Sequence, residues 1–186
     1  EGFVEILTPK YEGEIIKVPA RDSIGQEIIV EIGMVSIESL SSSVRTLLDL
    51  PASGKLAVLE MASVCGLSDL QPEQRNPWRT STVGVGELLL HAKANEADCI
   101  LLGIGGSSTN DAGIGALSAL GMEFGETNGQ TIKFPSPDTW ANLSLFGQSD
   151  IASMPPIRIA CDVDNPLLGE DGATKQFGLQ KGLKVN

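Results

Sequence analysis

A run of small and polar residues after residue 104 holds the groups in this chain that could do chemistry. The segment Gly105-Gly106-Ser107-Ser108-Thr109-Asn110-Asp111 offers three hydroxyls, an amide and a carboxylate directly behind two glycines. Glycines lack a Cβ, so their backbone can come close to an anion, and the N–H groups at the start of a following helix favour negative charge. The run therefore predicts an anion-binding turn.

This turn lies between a predicted strand and a predicted helix. The apolar run from Cys99 to Ile104 is typical of a buried strand, and the apolar spacing of Ala112–Leu120 predicts a helix capped by Asn110 or Asp111. An ordinary strand-to-helix connection would use the same residue types, because they cap helices and tolerate unusual φ. The turn has neither a Walker A lysine nor the spacing of a dinucleotide-binding loop.

A second glycine-rich segment, Thr80–Glu87, precedes another predicted helix, so two helix N-termini could converge on one anion. The loop before it contains Arg75 and Arg79. Planar guanidinium groups bind carboxylates and phosphates well, although two arginines on a polar loop are also ordinary solvated surface.

Two acidic residues follow predicted strands. Glu60 ends the apolar strand Leu56–Met61, where a buried carboxylate needs a partner unless it lies at the strand's solvated end. Asp162 follows the strand that begins at Ile157, and open α/β sheets place ligand sites at the carboxyl ends of their strands. Both are candidate site residues.

The run that begins at Gly105, with Gly113 and Gly115, resembles the signature loop of the bacterial glycerate kinase family, Gly-Gly-Ser-Ala-Thr-Asn-Asp-Gly-Gly-Ala-Gly. Other segments are also similar to that family. They are Glu60–Ala62 (Glu-Met-Ala), Thr80–Leu88 (Thr-Ser-x-Gly-x-Gly-Glu-Leu, with one residue more in this chain before the first glycine), Ala160–Leu167 (Ala-Cys-Asp-Val-x-Asn-Pro-Leu) and Phe177–Gly182 (Phe-Gly-Pro-Gln-Lys-Gly). The departures are Ser108, Ala112, Ile114, Asp164 and Leu179.

The resemblance implies ATP-dependent phosphorylation of D-glycerate, with Mg²⁺, by a two-domain α/β enzyme whose cleft lies between the domains. It makes Asp111, Asp162 and Lys181 catalytic candidates, with Asp111 or Asp162 as the Mg²⁺ ligand. The substrate- and phosphate-binding candidates are Gly105, Gly106, Ser107, Ser108, Thr109, Asn110, Thr82, Gly84, Glu87, Glu60, Arg75, Arg79, Asn165 and Gln180.

The resemblance also bears on domain organisation. Glu1-Gly2 is similar to the end of the family motif Asp-Gly-Gly-Glu-Gly, and the family's C-terminal half would follow Asn186. We therefore expect residues 1–186 to form a single α/β domain, excised from or inserted in a larger glycerate kinase, and to be inactive or nearly so alone. An oligomer is compatible with the sequence.

The amino-acid composition limits which kinds of partner and which cellular compartment are expected. The 186 residues carry a net charge of −11, which disfavours nucleic acids and anionic membranes as partners. Cys65, Cys99 and Cys161 lie in apolar runs and are expected to be buried, reduced thiols, and no apolar run is long enough for a membrane span. A cytoplasmic protein is expected.

The predicted fold is a mixed sheet with flanking helices and β-hairpins. One hairpin pairs Glu14–Pro19 with Gln26–Val35, and a second lies within Met122–Phe134 around Asn128-Gly129. A short helix is predicted in Ser36–Leu50, which the family match treats as an insertion, and a helical turn in Ala62–Gly66. A loop with a helical stretch near Trp140–Phe146 is predicted for Pro135–Ser153.

Two other functions stay open. In one, Asp162 and Asp164 act as the nucleophile and the acid/base of an aspartyl phosphatase, although that pair usually lies near the beginning of the fold. In the other, the chain is a non-catalytic binding or oligomerisation module. A phosphoenzyme trapped on Asp162 would favour the phosphatase, and ATP turnover separates the kinase from the module.

Overall fold

The computed structural model describes residues 2–148 and 152–184. Glu1, Asn186 and residues 149–151 of the predicted loop therefore lie outside the described residues. The strands are β1 (Glu14–Arg21), β2 (Glu27–Ser36), β3 (Lys55–Glu60), β4 (Cys99–Gly103), β5 (Met122–Glu126), β6 (Leu143–Gln148) and β7 (Ile157–Ala160). The helices are α1 (Phe3–Lys10), α2 (Ser42–Leu47), α3 (Ala62–Cys65), α4 (Val83–Ala94), α5 (Ile114–Ala119) and α6 (Ala173–Phe177).

The main sheet has five strands in the order β1-β2-β3-β4-β7. Neighbours are antiparallel from β1 to β3 and parallel from β3 to β7. The predicted α/β class and mixed sheet are thus confirmed. The parallel register pairs Glu60 with Gly103 and Gly103 with Ala160, so three strands end at the same edge.

Both faces of the sheet are covered, which explains why β4 and the interior of β3, between Lys55 and Glu60, are apolar. Along β3, Ala57 and Leu59 join the core cluster that packs on α4, whereas Leu56 and Val58 join the cluster that packs on α1. Successive side chains of a strand point to opposite faces, so one short run serves both layers.

Glycines let α4 approach its neighbours closely. A Cβ on Gly84 would overlap the backbone carbonyl oxygen of Arg21, and one on Gly86 would overlap the carbonyl oxygen of Ala116 in α5. Close packing therefore accounts for these two glycines. In the part of the chain that the structure describes, no helix has the length and apolar character needed to span a bilayer.

Several predicted elements are confirmed and others need correction. The first hairpin, the strands β3, β4 and β7, and the helical turn at Ala62 are present. The helix after the glycine-rich turn begins at Ile114 rather than Ala112, because Ala112 and Gly113 both have left-handed backbone, with φ of 52° and 77°. In Ser36–Leu50 a 3₁₀ turn over Ile37–Ser39 precedes α2, whose N-cap is Ser41.

The second predicted hairpin is wrong in its partner strand. A turn does form over 126–130, and Gly125 bridges Thr131, but β5 pairs with β6 along its length. The predicted partner segment ends at Phe134, and the next residue, Pro135, has no N–H to extend a ladder. The helical stretch predicted near Trp140–Phe146 is a 3₁₀ helix over Pro137–Asn142 followed directly by β6.

Candidate functional site

The turn after β4 forms an open bend at the edge where β3, β4 and β7 end. The Ile104 N–H donates to the carbonyl oxygen of Ala160 at 3.2 Å, which fixes the start of the bend. Gly105 and Gly106 are exposed, and nothing lies within 4 Å of the position where a Gly105 Cβ would sit. Within the described residues their amides have no hydrogen-bond partner, so the backbone here is accessible to an anion.

The middle of the turn is anchored rather than open. Ser108 is 1% exposed, and both its amide and its hydroxyl donate to the carbonyl oxygen of Cys65, at 2.7 and 2.9 Å. The hydroxyl of Thr80 donates to the Ser108 carbonyl oxygen at 3.2 Å, and Thr109 is also buried. The side chains of Ser108 and Thr109 therefore help to fix the shape of the turn.

Asp111 is buried, at 1% exposure, between the N-termini of α4 and α5. Its Oδ2 accepts from the amide and the hydroxyl of Thr82, both at 2.8 Å, and from the Gly115 amide at 3.2 Å. Its Oδ1 accepts from the Gly113 amide at 3.1 Å. The predicted convergence of two helix N-termini thus occurs, and the anion on which they converge is this internal carboxylate.

Lys181 reaches the turn from the C-terminal segment. Its ammonium donates to the carbonyl oxygen of Thr109 at 2.7 Å and to the hydroxyl of Ser107 at 3.0 Å. Burial lowers the pKa of Lys181 below its ordinary value, while the charge of Asp111 opposes that shift. The structure therefore places a partly buried cation on the same turn as the open glycine backbone.

Asp162 lies two residues beyond the end of β7 and is exposed. Because Ala160 pairs with Gly103, the start of this segment lies beside the start of the glycine bend. Asp164 and Gln180 are also exposed, whereas Asn165 is partly buried and donates from its amide to the Asp171 carbonyl oxygen at 3.0 Å. Of these candidates, Asp162 is the exposed carboxylate that follows β7 most closely, and the end of β7 lies beside the start of the bend.

Glu60 has a structural partner. It is 8% exposed, and its Oε2 accepts from the Phe3 amide at 2.9 Å, at the N-terminus of α1. The positive end of the helix stabilises the buried carboxylate. Glu60 therefore lies at the site edge of the sheet while holding α1 in place.

The two arginines of the preceding loop differ in their surroundings. Arg79 is paired with Asp138 at 3.6 Å, whereas the guanidinium of Arg75 donates from Nε to the Leu70 carbonyl oxygen at 3.2 Å. Among the described residues no carboxylate pairs with the Arg75 guanidinium. Arg75 is therefore the arginine of this loop that is available to an anion.

Glu87 is engaged by Arg21 on the first hairpin. Its Oε1 accepts from Nε and Nη2 of Arg21 at 2.7 and 2.6 Å, and its Oε2 accepts from the Arg21 amide at 2.7 Å. Together with Gly84, which packs on the same backbone, Glu87 ties α4 to β1. The geometry gives these two residues a structural role.

The prediction of three buried thiols is wrong for one of them. Cys65 and Cys99 are buried, and burial raises the pKa of both thiols, whereas Cys161 is exposed. Cys161 follows β7, the edge strand of the sheet, whose own residues are only partly buried or exposed. All three cysteines are free.

Sequence reasoning missed the side chains around Asn110. Its Oδ1 accepts from the hydroxyl of Thr174 at 3.1 Å, and Asn110 lines an apolar cavity with Trp78 and Trp140. The amino-acid composition offered a clue to this cavity, because Trp78 and Trp140 are the only two tryptophans in the sequence.

A family model described as the glycerate kinase family matches residues 1–186. The chain belongs to the glycerate kinase family. Glycerate 2-kinase of Escherichia coli is 36% identical over 198 residues, which cover 98% of this chain and 50% of that protein. A glycerate kinase of Bacillus cereus is 44% identical over 146 residues, covering 77% of this chain and 38% of that protein.

A solved structure described as glycerate kinase 2 from Salmonella typhimurium has the same fold. It matches with a TM-score of 0.78 and 34% identity, over 99% of this chain and 46% of that chain. The chain thus spans about half the length of the glycerate kinase family members that it matches.

Proposed function

We propose that this chain supplies substrate-binding groups of a glycerate kinase that transfers a phosphoryl group from ATP to D-glycerate. The observation that supports the proposal most directly is Lys181 bound to the turn that also presents Gly105 and Gly106 at the open edge of the sheet. Family membership supports the choice of reaction.

The open bend and Lys181 are proposed to bind an anionic group of the reactants. The amides of Gly105 and Gly106, which have no partner in the part of the chain that the structure describes, can donate to an oxyanion, and the ammonium adds a full positive charge beside them. Phosphoryl transfer needs mainly positioning and neutralisation of charge, which backbone donors and a lysine provide. A net charge of −11 makes such local donors necessary.

Asp162 is proposed to orient the acceptor hydroxyl or to bind Mg²⁺. Among residues 2–148 and 152–184, no three His, Cys, Asp or Glu side chains cluster closely enough to hold a metal ion. Mg²⁺ is commonly bound by one or two carboxylates together with substrate phosphates, so a single exposed carboxylate fits. Bound there, Mg²⁺ would neutralise charge on the phosphates. Asp111 fits a metal less well, because four protein donors already occupy its oxygens.

Asp111 is proposed to act as a positioning residue. Its carboxylate joins α4 to α5 and supports the turn without facing solvent. Ser108, Thr109 and Thr82 would act in the same way, through the shape of the turn. We further propose that the chain is one domain of a larger enzyme that works in the cytoplasm, where its three thiols stay reduced.

Calorimetric titration with D-glycerate tests the anion site. We expect the chain to bind D-glycerate and Lys181→Met to weaken binding at least about ten-fold, since a charge-assisted contact is lost. Lys17→Met is the matched control, because Lys17 is exposed and pairs with Glu31 at 3.7 Å, away from the bend. An equal loss of D-glycerate affinity in both variants, or no loss in either, would show that Lys181 does not belong to the binding site.

Turnover tests the reaction itself. Phosphoglycerate formation from radiolabelled ATP is measured for the chain alone and for a chimera in which it replaces the matching half of the E. coli relative. We expect turnover in the chimera and little or none in the chain alone. A folded chimera that binds D-glycerate without turnover would argue for a non-catalytic module.

A further inference from the structure

Asn110 lies between two buried residues of the glycine-rich turn. The carbonyl oxygen of Thr109, on one side, accepts from Lys181 Nζ at 2.7 Å, and the carboxylate of Asp111, on the other side, accepts from donors of α4 and α5. Asn110 itself is partly buried. The backbone is therefore fixed on both sides of Asn110, and the direction of its side-chain amide is what remains to be set.

The hydroxyl of Thr174 sets that direction. It donates to Asn110 Oδ1 at 3.1 Å, across 64 positions of the sequence. A carboxamide has an acceptor oxygen on one arm and two donor hydrogens on the other, so an oxygen held by a hydroxyl directs Nδ2 elsewhere. Among the described residues nothing accepts from this Nδ2, and Asn110 lines a cavity of about 420 Å³ beside the turn. The amide hydrogens are thus available to a ligand.

Thr174 reaches Asn110 from a fixed backbone. It lies in the first turn of α6, where the Ala173 amide donates to the carbonyl oxygen of Pro166 at 2.9 Å. The carbonyl oxygen of Thr174 accepts from the Gly178 amide, also at 2.9 Å. Neither bond uses the hydroxyl. The contact with Asn110 can therefore be removed by substitution of Thr174 while the backbone around it stays held.

We propose that Thr174 is a positioning residue, whose hydroxyl holds the Asn110 amide with its Nδ2 donors toward the anionic reactant and with Oδ1 turned away. This inference rests on the proposed function, because it requires D-glycerate beside the turn. Lys181 places a positive charge on the carbonyl oxygen next to Asn110. Amide hydrogens strengthen the binding of an anion there, whereas an amide oxygen turned the same way would repel it.

A double-mutant cycle in D-glycerate affinity tests whether Thr174 acts through Asn110. The affinity of each variant of the 186-residue chain is measured by calorimetric titration. We expect Thr174→Val to weaken D-glycerate binding about five-fold or more, and Thr174→Ser to bind as the wild type does. Once Asn110→Ala is in place, Thr174→Val should have no further effect. Thr46→Val, at an exposed threonine of α2, is the matched control.

Asn110→Asp separates the donor role from a purely structural contact. A carboxylate at this position still accepts from the Thr174 hydroxyl but has no hydrogen to donate. We expect Asn110→Asp to weaken D-glycerate binding at least as much as Asn110→Ala, which loses the donors without gaining a charge. The free energy of unfolding of Asn110→Asp, measured in urea, should stay close to that of the wild type. Wild-type affinity in Asn110→Asp would contradict the donor role.

NMR reports on the donors directly. The side-chain amide signals of Asn110 are identified by their loss in Asn110→Ala. We expect these signals to shift in a saturable way when D-glycerate is added to the wild type, and to shift much less in Thr174→Val. If Thr174→Val fails to fold by circular dichroism, Thr174→Ser, Asn110→Asp and the wild-type spectra decide.

A folded Thr174→Val chain that binds D-glycerate as tightly as the wild type would overturn this inference and leave the proposed function standing. Equal losses of affinity from Thr174→Val with and without Asn110→Ala would also overturn it, because Thr174 would then act independently of the amide. A wild-type chain that does not bind D-glycerate would count against the proposed function, and this inference would fall with it.

Discussion

The carboxylate of Asp111 accepts two hydrogen bonds from Thr82, one from its amide and one from its hydroxyl, each at 2.8 Å. The same hydroxyl accepts from the Ala116 amide at 3.0 Å. Thr82, at the N-terminus of α4, is therefore hydrogen-bonded both to the turn and to α5. The N-terminus of α4 is thereby directed at an internal charge. The open end of the site is consequently the glycine bend on the other side of the turn.

Replacing Asp111 should cost stability before it affects chemistry. Asp111→Ala leaves buried donors of Thr82 and Gly115 without an acceptor, and we expect the free energy of unfolding to fall by about 3 kcal/mol. Asp111→Asn should cost less, because one oxygen remains. Urea unfolding measures both, with exposed Asp164→Asn as the control. An Asp111→Ala variant as stable as the wild type would show that the network is dispensable.

Lys181 should make stability and anion binding depend on alkaline pH. Burial lowers the folded-state pKa below 10.5, so the unfolded state binds more protons between the folded-state pKa and 10.5. The stability of the wild type relative to Lys181→Met should therefore increase as pH rises through that window. D-glycerate affinity should fall over the same window, as the ammonium loses its charge. Urea titrations and calorimetry at stepped pH measure the two trends, and a flat difference would contradict the burial of this amine.

Gly105 and Gly84 should respond differently to alanine. Gly105 has open space around it and Gly84 lies against the Arg21 backbone. We expect Gly105→Ala to change stability by less than about 0.5 kcal/mol and to weaken D-glycerate binding, since the methyl group covers the exposed amides. Gly84→Ala should lower stability by more than about 2 kcal/mol. Thermal unfolding with calorimetry separates the two, and unchanged binding in Gly105→Ala would exclude the bend as the anion site.

Glu87→Gln tests whether this side chain is structural. Loss of the charge weakens the paired contact with Arg21, so stability should fall by about 1 to 2 kcal/mol while D-glycerate affinity stays as in the wild type. Arg21→Met should give a similar loss, and the double variant should lose less than the sum. A Glu87→Gln variant that keeps its stability but loses D-glycerate binding would show that Glu87 contacts the substrate.

Asp162 distinguishes the kinase from the aspartyl phosphatase. A phosphatase of that class forms an acyl phosphate on its nucleophile, whereas the proposed kinase uses Asp162 without a covalent bond. We expect no hydroxylamine-sensitive label on the chain after incubation with labelled acetyl phosphate, and we expect Asp162→Asn to reduce turnover of the chimera. A label that disappears in Asp162→Asn but persists in Asp164→Asn would favour the phosphatase.

Local patterns in the sequence were enough to predict much of the sheet. Alternating or continuous apolar runs located β1 to β4 and β7, because burial on one or both faces leaves a period that can be recognised. Helix α1 was not predicted. It is short, contains Pro9, and is stabilised by packing on β2 and β3 and by Glu60 at its first amide, and none of these contacts is local.

The sequence alone determined the α/β class, the acidic residues that follow two of the strands, and a glycine-rich turn with polar groups behind it, since these follow from residue type and near-neighbour spacing. Only the tertiary structure decided what each polar group does. Asp111 turns inward to a residue 29 positions away, and Lys181 reaches back 72 positions to Thr109. Contacts at such separations depend on how the elements pack, so the same turn holds both a buried carboxylate that supports it and the exposed glycine bend that we propose as the anion site.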